Sequence, residues 1–175
     1  RFTIGKHAWQ VITGYGHSQE HACLYCAELG VLISGDQVLP RISPHIGVYP
    51  GEPEANPLRA YLNSLPYFRP LPADTLVLPS HNDPFEGLHL RLDQIKAHHD
   101  QRLADLEAAC GEPQSAIGVV PVLFHRQLDE NSTFMAVGEA VAQLHWLMGE
   151  GRMTRRLGAD GVWHYQRNQV AADAA

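Results

Sequence analysis

The chain has 175 residues, with 45% hydrophobic and 18% charged side chains, an ordinary globular composition that excludes a disordered or fibrous protein. Thirteen basic against nineteen acidic residues leave a net charge of −6, which argues against a dedicated duplex-DNA binder. No apolar run reaches the roughly 18–20 residues needed to span a bilayer, and three cysteines are too few for a disulfide scaffold, so a cytoplasmic setting is expected. The first residue is Arg1 rather than Met and the chain opens directly into strand-like sequence, as a piece of something longer would.

Ala8–Thr13 reads as a strand, Ala22–Glu28 as a second and Val31–Ser34 as a third, with Gly14, Gly16 and His17 in the first connection. The Pro- and Gly-rich stretch Leu39–Pro57 reads as a surface loop. Asn56 and Pro57 suit a helix start, and Leu58, Tyr61, Leu62 and Leu65 keep helical spacing until Pro66. Thr75–Leu78 is a short strand ending at Pro79. From Leu88 the period changes to helical, with an apolar stripe from Leu88 to Leu106 and a stop near Cys110-Gly111. A second helix is expected over Gln114–Phe124, kinked at Pro121. A third is expected over Thr133–Met148, capped by Ser132 or Asn131. Arg152–Leu157 and Val162–Gln166 read as a hairpin across Gly158–Gly161. The expected organisation is therefore an α/β domain over 1–90, a small helical, winged-helix-like domain over 91–166 and a flexible tail over 167–175.

Three polar segments follow strand ends: Gly16–His21, Ser34–Asp36 and Pro79–Asp83. Residues just past the strands of one sheet converge on one rim, where sites form. Two imidazoles and a carboxylate suit zinc or a similar borderline metal, although a single His or Asp at a strand end is more often a turn residue.

These segments resemble motifs of the metallo-β-lactamase-fold hydrolases, the superfamily of glyoxalase II and the lactamase-like ribonucleases. GHSQEHACLY is similar to the family's GH-x-x-G-H segment, LISGDQVLP to its strand and bridging aspartate, and LPSHNDPF to its later PGH-x-P segment. The helix with HHDQRL and the residues after it resemble the lactamase-beta-like protein 2 subgroup, which carries an appended winged-helix-like domain. The resemblance implies the C-terminal half of an αββα sandwich. It makes His17 a terminal ligand of a first metal, Asp36 the carboxylate bridging two metals, and His81 a terminal ligand of the second, with His21 supporting them by hydrogen bonds. It also implies two divalent ions, zinc foremost, and a bridging hydroxide that attacks an ester, thioester or phosphodiester.

Gln19-Glu20 and Ser80 depart from the family's small residues at those places. The larger departure is that H-x-H-x-D-H, the source of four more ligands, is not in this sequence, since no two histidines flank a single residue. The chain by itself is therefore expected to be inactive and to hold metal weakly. A half-sandwich should also expose an apolar sheet face and associate as a homodimer.

Other candidates have blander readings. Cys23 and Cys26 sit three apart in one strand, on opposite faces, and read as packed core thiols. His98 and His99 read as helix-surface residues, and His145 as a half-buried core histidine. The loop Ser43–Asn56, with His45 and Tyr49, is a candidate for substrate contact. A rival function is a nucleic-acid- or protein-binding module through the winged-helix-like end. The helix from Phe134 to Met148 has no lysine or arginine, which favours packing over readout of DNA.

Overall fold

The structure is a computed structural model that describes residues 1–168. It divides into two compact units. The first takes Arg1–Ile46 and Pro57–His99; the second takes Gly47–Asn56 and the residues from Asp100 on.

In the first unit, strands β1 (Phe2–Ile4), β2 (His7–Gly14), β3 (His21–Cys26), β4 (Val31–Gly35) and β5 (Leu76–Pro79) form one sheet in that order. The first three pairings are antiparallel and β4–β5 is parallel. The parallel pair needs a crossover, which is supplied by helix α1 (Pro57–Ser64) and the 3₁₀ turn Leu65–Phe68. Register sorts the side chains. Ile12 is paired with Cys23, Tyr25 with Leu32 and Leu32 with Val77, and all five are buried. Leu58, Tyr61, Leu65 and Phe68 from the crossover, with Leu88, Leu92 and Ile95 from helix α2 (Leu88–Ala109), complete the buried set. On the other face Val11, Leu24, Ile33 and Leu78 make one apolar row across four strands, with Val11 43% and Ile33 38% exposed.

The loop expected over Leu39–Pro57 is indeed irregular, but its first part is not all surface: Leu39 and Ile46 are buried, as is Val38 just before it. Arg91 secures it by donating from Nε to the Leu39 carbonyl at 2.5 Å and from Nη2 to the Ile42 carbonyl at 3.0 Å. Cys23 and Cys26 are free and have no exposure, and burial pushes the Cys23 thiol up to about 12, so it stays protonated and inert. His99 corrects the surface reading of the His98-His99 pair, being buried with Nε2 3.0 Å from Ser43 Oγ, whereas His98 is exposed.

Helix α2 runs through the position where the change of sequence period suggested a boundary, and the two units part between His99 and Asp100. The second unit continues with β6 (Gln114–Ser115), a short helix α3 (Val120–Leu123), helix α4 (Glu130–Gly149) and the hairpin β7 (Met153–Leu157) and β8 (Trp163–Arg167). The helix expected over Gln114–Phe124 forms only in its last part, as α3. Pro113, Gly118 and Pro121 restrict helix to one turn, and Gln114–Ser115 instead pairs with β8, giving the strand order β6-β8-β7. Asp129 caps α4, accepting from the Ser132 amide at 2.7 Å, so the helix starts earlier than a Ser132 or Asn131 cap implied. The hairpin forms as its sequence suggests, in register Arg155 to Tyr165. Arg167 belongs to β8 and Asn168 donates to the Arg152 carbonyl, so the chain is ordered past the expected start of the tail; residues 169–175 lie outside the described residues. Among the described residues no helix is long and apolar enough to cross a membrane.

Candidate functional site

Three strand ends of the first unit meet at one rim. The turn after β4 carries Asp36, the loop between β2 and β3 carries His17, and the segment after β5 carries His81. The parallel β4–β5 pairing brings the turn and the last segment together, and the Ser80 amide donates to the Gly35 carbonyl at 3.1 Å. Each oxygen of the Asp36 carboxylate then faces one imidazole. His17 Nε2 lies 3.3 Å from Oδ2 and His81 Nε2 lies 3.3 Å from Oδ1. His17 and Asp36 are about three-quarters shielded from solvent, and His81 is mostly open to it, with 64% of its side chain exposed.

The surroundings orient these groups. His17 Nδ1 donates to the His45 carbonyl at 2.8 Å, which fixes the ring so that Nε2 is the nitrogen facing Asp36. His45, expected as a substrate-loop side chain, thus meets the site through its backbone. Tyr49 is grouped with the second unit. His21 supports Asp36 from the backbone side: its Nε2 accepts the Asp36 amide at 3.2 Å. Burial holds the His21 imidazole below its usual pKa, with His17 adding to the effect, so the ring is neutral and able to accept.

Two glycines make room for this arrangement. Gly35 has φ +55°, and a Cβ there would lie 2.3 Å from His21 Nε2. Gly16 has φ +98°, and a Cβ would lie 2.5 Å from both the Pro57 carbonyl and Tyr61 Cβ. The segment after β5 turns at Asn82, the one described non-glycine residue with positive φ, at 65°. Ser80 is the feature that sequence reasoning undervalued. Its hydroxyl donates to Asp36 Oδ1, the oxygen that faces His81. The sequence signal was present as a serine at the family's glycine, but only the fold shows where the hydroxyl points. Desolvation raises the Asp36 carboxyl, but the Ser80 hydrogen bond and the imidazoles of His17, His81 and His21 outweigh it. The net shift is below the usual carboxylate range, so Asp36 is ionised at neutral pH.

Among the described residues no three His, Cys, Asp or Glu side chains gather round one point. The arrangement is one carboxylate shared between two imidazoles. Two ligands of a tetrahedral zinc, each about 2.0–2.1 Å from the ion, lie about 3.3–3.4 Å apart. The two observed nitrogen–oxygen spacings of 3.3 Å match that edge. Each spacing is thus compatible with two donors sharing one ion.

A mixed sheet with a His–Asp–His rim at its strand ends defines the class as an α/β fold with a polar site at one sheet edge. The comparisons with known proteins name it. A family model of the metallo-beta-lactamase superfamily matches residues 1–81, and one of the metallo-beta-lactamase-like C-terminal domain matches residues 103–168. The chain is similar to a beta-lactamase domain protein from Burkholderia ambifaria, at 50% identity and a TM-score of 0.93, covering 95% of this chain and 50% of that one. It is also similar to a metallo-beta-lactamase family protein from Thermus thermophilus, at 31% identity and a TM-score of 0.82, covering 95% of this chain and 52% of the other. No curated protein matches. The chain belongs to the metallo-beta-lactamase superfamily, a family of metal-dependent hydrolases whose members often hold zinc. It spans about half the length of these solved relatives.

Proposed function

We propose that this chain supplies one side of a two-metal hydrolytic site, with His17 and Asp36 Oδ2 holding one ion and Asp36 Oδ1 and His81 the other. The observation that carries this reading is the pair of 3.3 Å imidazole–carboxylate spacings on opposite oxygens of one aspartate. When bound, two divalent ions lower the pKa of water and polarise a scissile carbonyl or phosphoryl group. The chain's own residues prepare the ligands. The His45 carbonyl orients the His17 ring with Nε2 towards Asp36, His21 holds the Asp36 backbone, and Ser80 orients the carboxylate. The bond cleaved is an ester, thioester or phosphodiester, and the net charge of −6 disfavours tight nucleic-acid binding.

Two donors per ion are fewer than the three protein ligands of a catalytic zinc site. The chain alone is therefore expected to hold zinc below stoichiometry after dialysis and to leave a generic thioester and bis(nitrophenyl) phosphate uncleaved. Titrated manganese should nonetheless broaden NMR signals of His17, Asp36 and His81 first. Stoichiometric zinc with turnover abolished by His17→Ala would overturn the expected inactivity. Broadening centred away from these three residues would overturn the ligand assignment.

The same reading proposes a self-association surface. Val11, Leu24, Ile33 and Leu78 offer a flat apolar row, which water disfavours. The chain is expected to sediment as a dimer. Ile33→Lys, which places a charge in the middle of the row, should raise the dimer dissociation constant at least about tenfold, since burying an unpaired charge costs several kcal/mol. An unchanged sedimentation profile would remove this surface from consideration. Three free, buried cysteines suit a reducing, cytoplasmic location, which a compartment-specific reporter fusion would test.

A further inference from the structure

The second unit contains an apolar cavity of about 260 Å³ that the hydrolytic reading does not use. Phe134, Val137, Val141 and His145 form one stripe of α4 along its back. The loop Val48–Glu54 lies along one side, and Arg155, Trp163 and Tyr165 of the hairpin along the other. The frame is tied together. The Val48 amide donates to the Gly138 carbonyl at 3.0 Å, and a Cβ on Gly138 would lie 3.0 Å from the Val48 carbonyl, so a glycine lets loop and helix approach.

The charged groups of the wall are satisfied by one another. Arg155 Nη2 donates to both oxygens of Glu54 at 2.7 Å, and its Nη1 lies 3.3 Å from His145 Nε2. His145 Nδ1 donates to the Ala55 carbonyl at 2.8 Å, which leaves Nε2 to accept. Tyr165 is the cross-strand partner of Arg155, and the guanidinium lies 4.3 Å over the Trp163 ring. An anion would have to compete with Glu54 for Arg155. A cation would have to displace the guanidinium already resting on Trp163. A neutral guest disturbs neither.

The rest of the surface is aromatic and aliphatic. Tyr49, Phe134 and Trp163 are each at least 42% exposed beside the cavity, a concentration of large rings in water that packing alone does not require. The volume lies between the ~150 Å³ of a cavity that admits benzene and the ~300 Å³ at which sites for drug-sized ligands begin. We propose that this cavity binds a small neutral aromatic group of one or two rings, recognised by shape and ring faces.

The test titrates the full chain with 2-naphthol, with the naphthalene-2-carboxylate anion and with the 2-naphthyltrimethylammonium cation, followed by amide chemical shifts. Saturable shifts at Tyr49, Val137–Val141 and Trp163 are expected with 2-naphthol, and binding of both charged probes should be at least tenfold weaker. Val141→Trp, which fills the cavity, should weaken 2-naphthol at least tenfold with the thermal melt retained. Should that variant not fold, Trp163→Ala at the partly exposed indole should weaken it at least threefold. The proposal falls if no saturation is reached, if a charged probe binds as tightly, if neither variant weakens binding, or if the shifts fall only at Val11, Leu24 and Ile33.

Discussion

Asp36→Asn is expected to abolish manganese-induced broadening at both His17 and His81, with metal affinity falling by more than the roughly 10–100-fold seen when supporting groups are lost. The substitution keeps the shape of the side chain and an oxygen to accept from Ser80. It removes the charge that serves both ion positions at once, because each imidazole faces a different oxygen of this carboxylate. His17→Ala removes one donor from one position, so its loss should be confined to broadening on the Oδ2 side. The competing view treats the two contacts as plain imidazolium–carboxylate pairs. On that view Asp36→Asn costs only about 0–1 kcal/mol of stability, as partly exposed ion pairs do, and leaves metal response untouched. Broadening that survives in Asp36→Asn would decide for the ion-pair view.

Gly35→Ala is expected to destabilise the protein by about 2–3 kcal/mol and to disturb the site, whereas Gly30→Ala should cost about 1–2 kcal/mol and leave the site intact. Both glycines have positive φ, at 55° and 64°, where an L side chain pays roughly 1–2 kcal/mol. They differ in their surroundings. A Cβ on Gly30 meets nothing within 4 Å, while one on Gly35 would collide with the His21 ring at 2.3 Å. Moving that ring breaks its bond to the Asp36 amide, worth about 1 kcal/mol, and releases the aspartate backbone. Urea midpoints of the two variants measure the difference, and His21 ring signals report the displacement. Equal costs with an unmoved His21 would show that the ring has room to yield and does not hold Asp36.

The rim is built round a single residue. Asp36 is the hub: its carboxylate meets His17, His81 and Ser80, and its amide meets His21. A turn that brings four partners to one residue tolerates little change in backbone, which is the physical reason for the glycine immediately before it. The second unit shows a similar economy around Arg155, which joins Glu54, His145, Tyr165 and Trp163 in one place.

Local signals in the sequence determined much of this protein. Period-two and period-3.6 apolar spacing, with Gly and Pro as punctuation, located the β2–β5 strands, α1, α2, α4 and the final hairpin. Strand-end chemistry singled out the segments Gly16–His21, Ser34–Asp36 and Pro79–Asp83, each of which follows an apolar run, and the family resemblance picked His17, Asp36, His81 and the neighbouring His21 within them. Tertiary structure alone decided the rest, and in each case the deciding contact spans many residues. Gln114–Ser115 became a strand because β8, some 50 residues on, offered it a partner that a proline-broken helix could not match. His99 turned inward because Ser43 of a distant loop meets its ring. The start of the long loop became core because Arg91 caps its carbonyls while Val38, Leu39 and Ile46 find apolar cover. Ser80 and the His45 carbonyl joined the site through hydrogen bonds across 44 and 28 residues. Propensity and periodicity act over a few neighbours, whereas hydrogen-bond satisfaction and burial are settled by whichever partners the completed fold brings within reach.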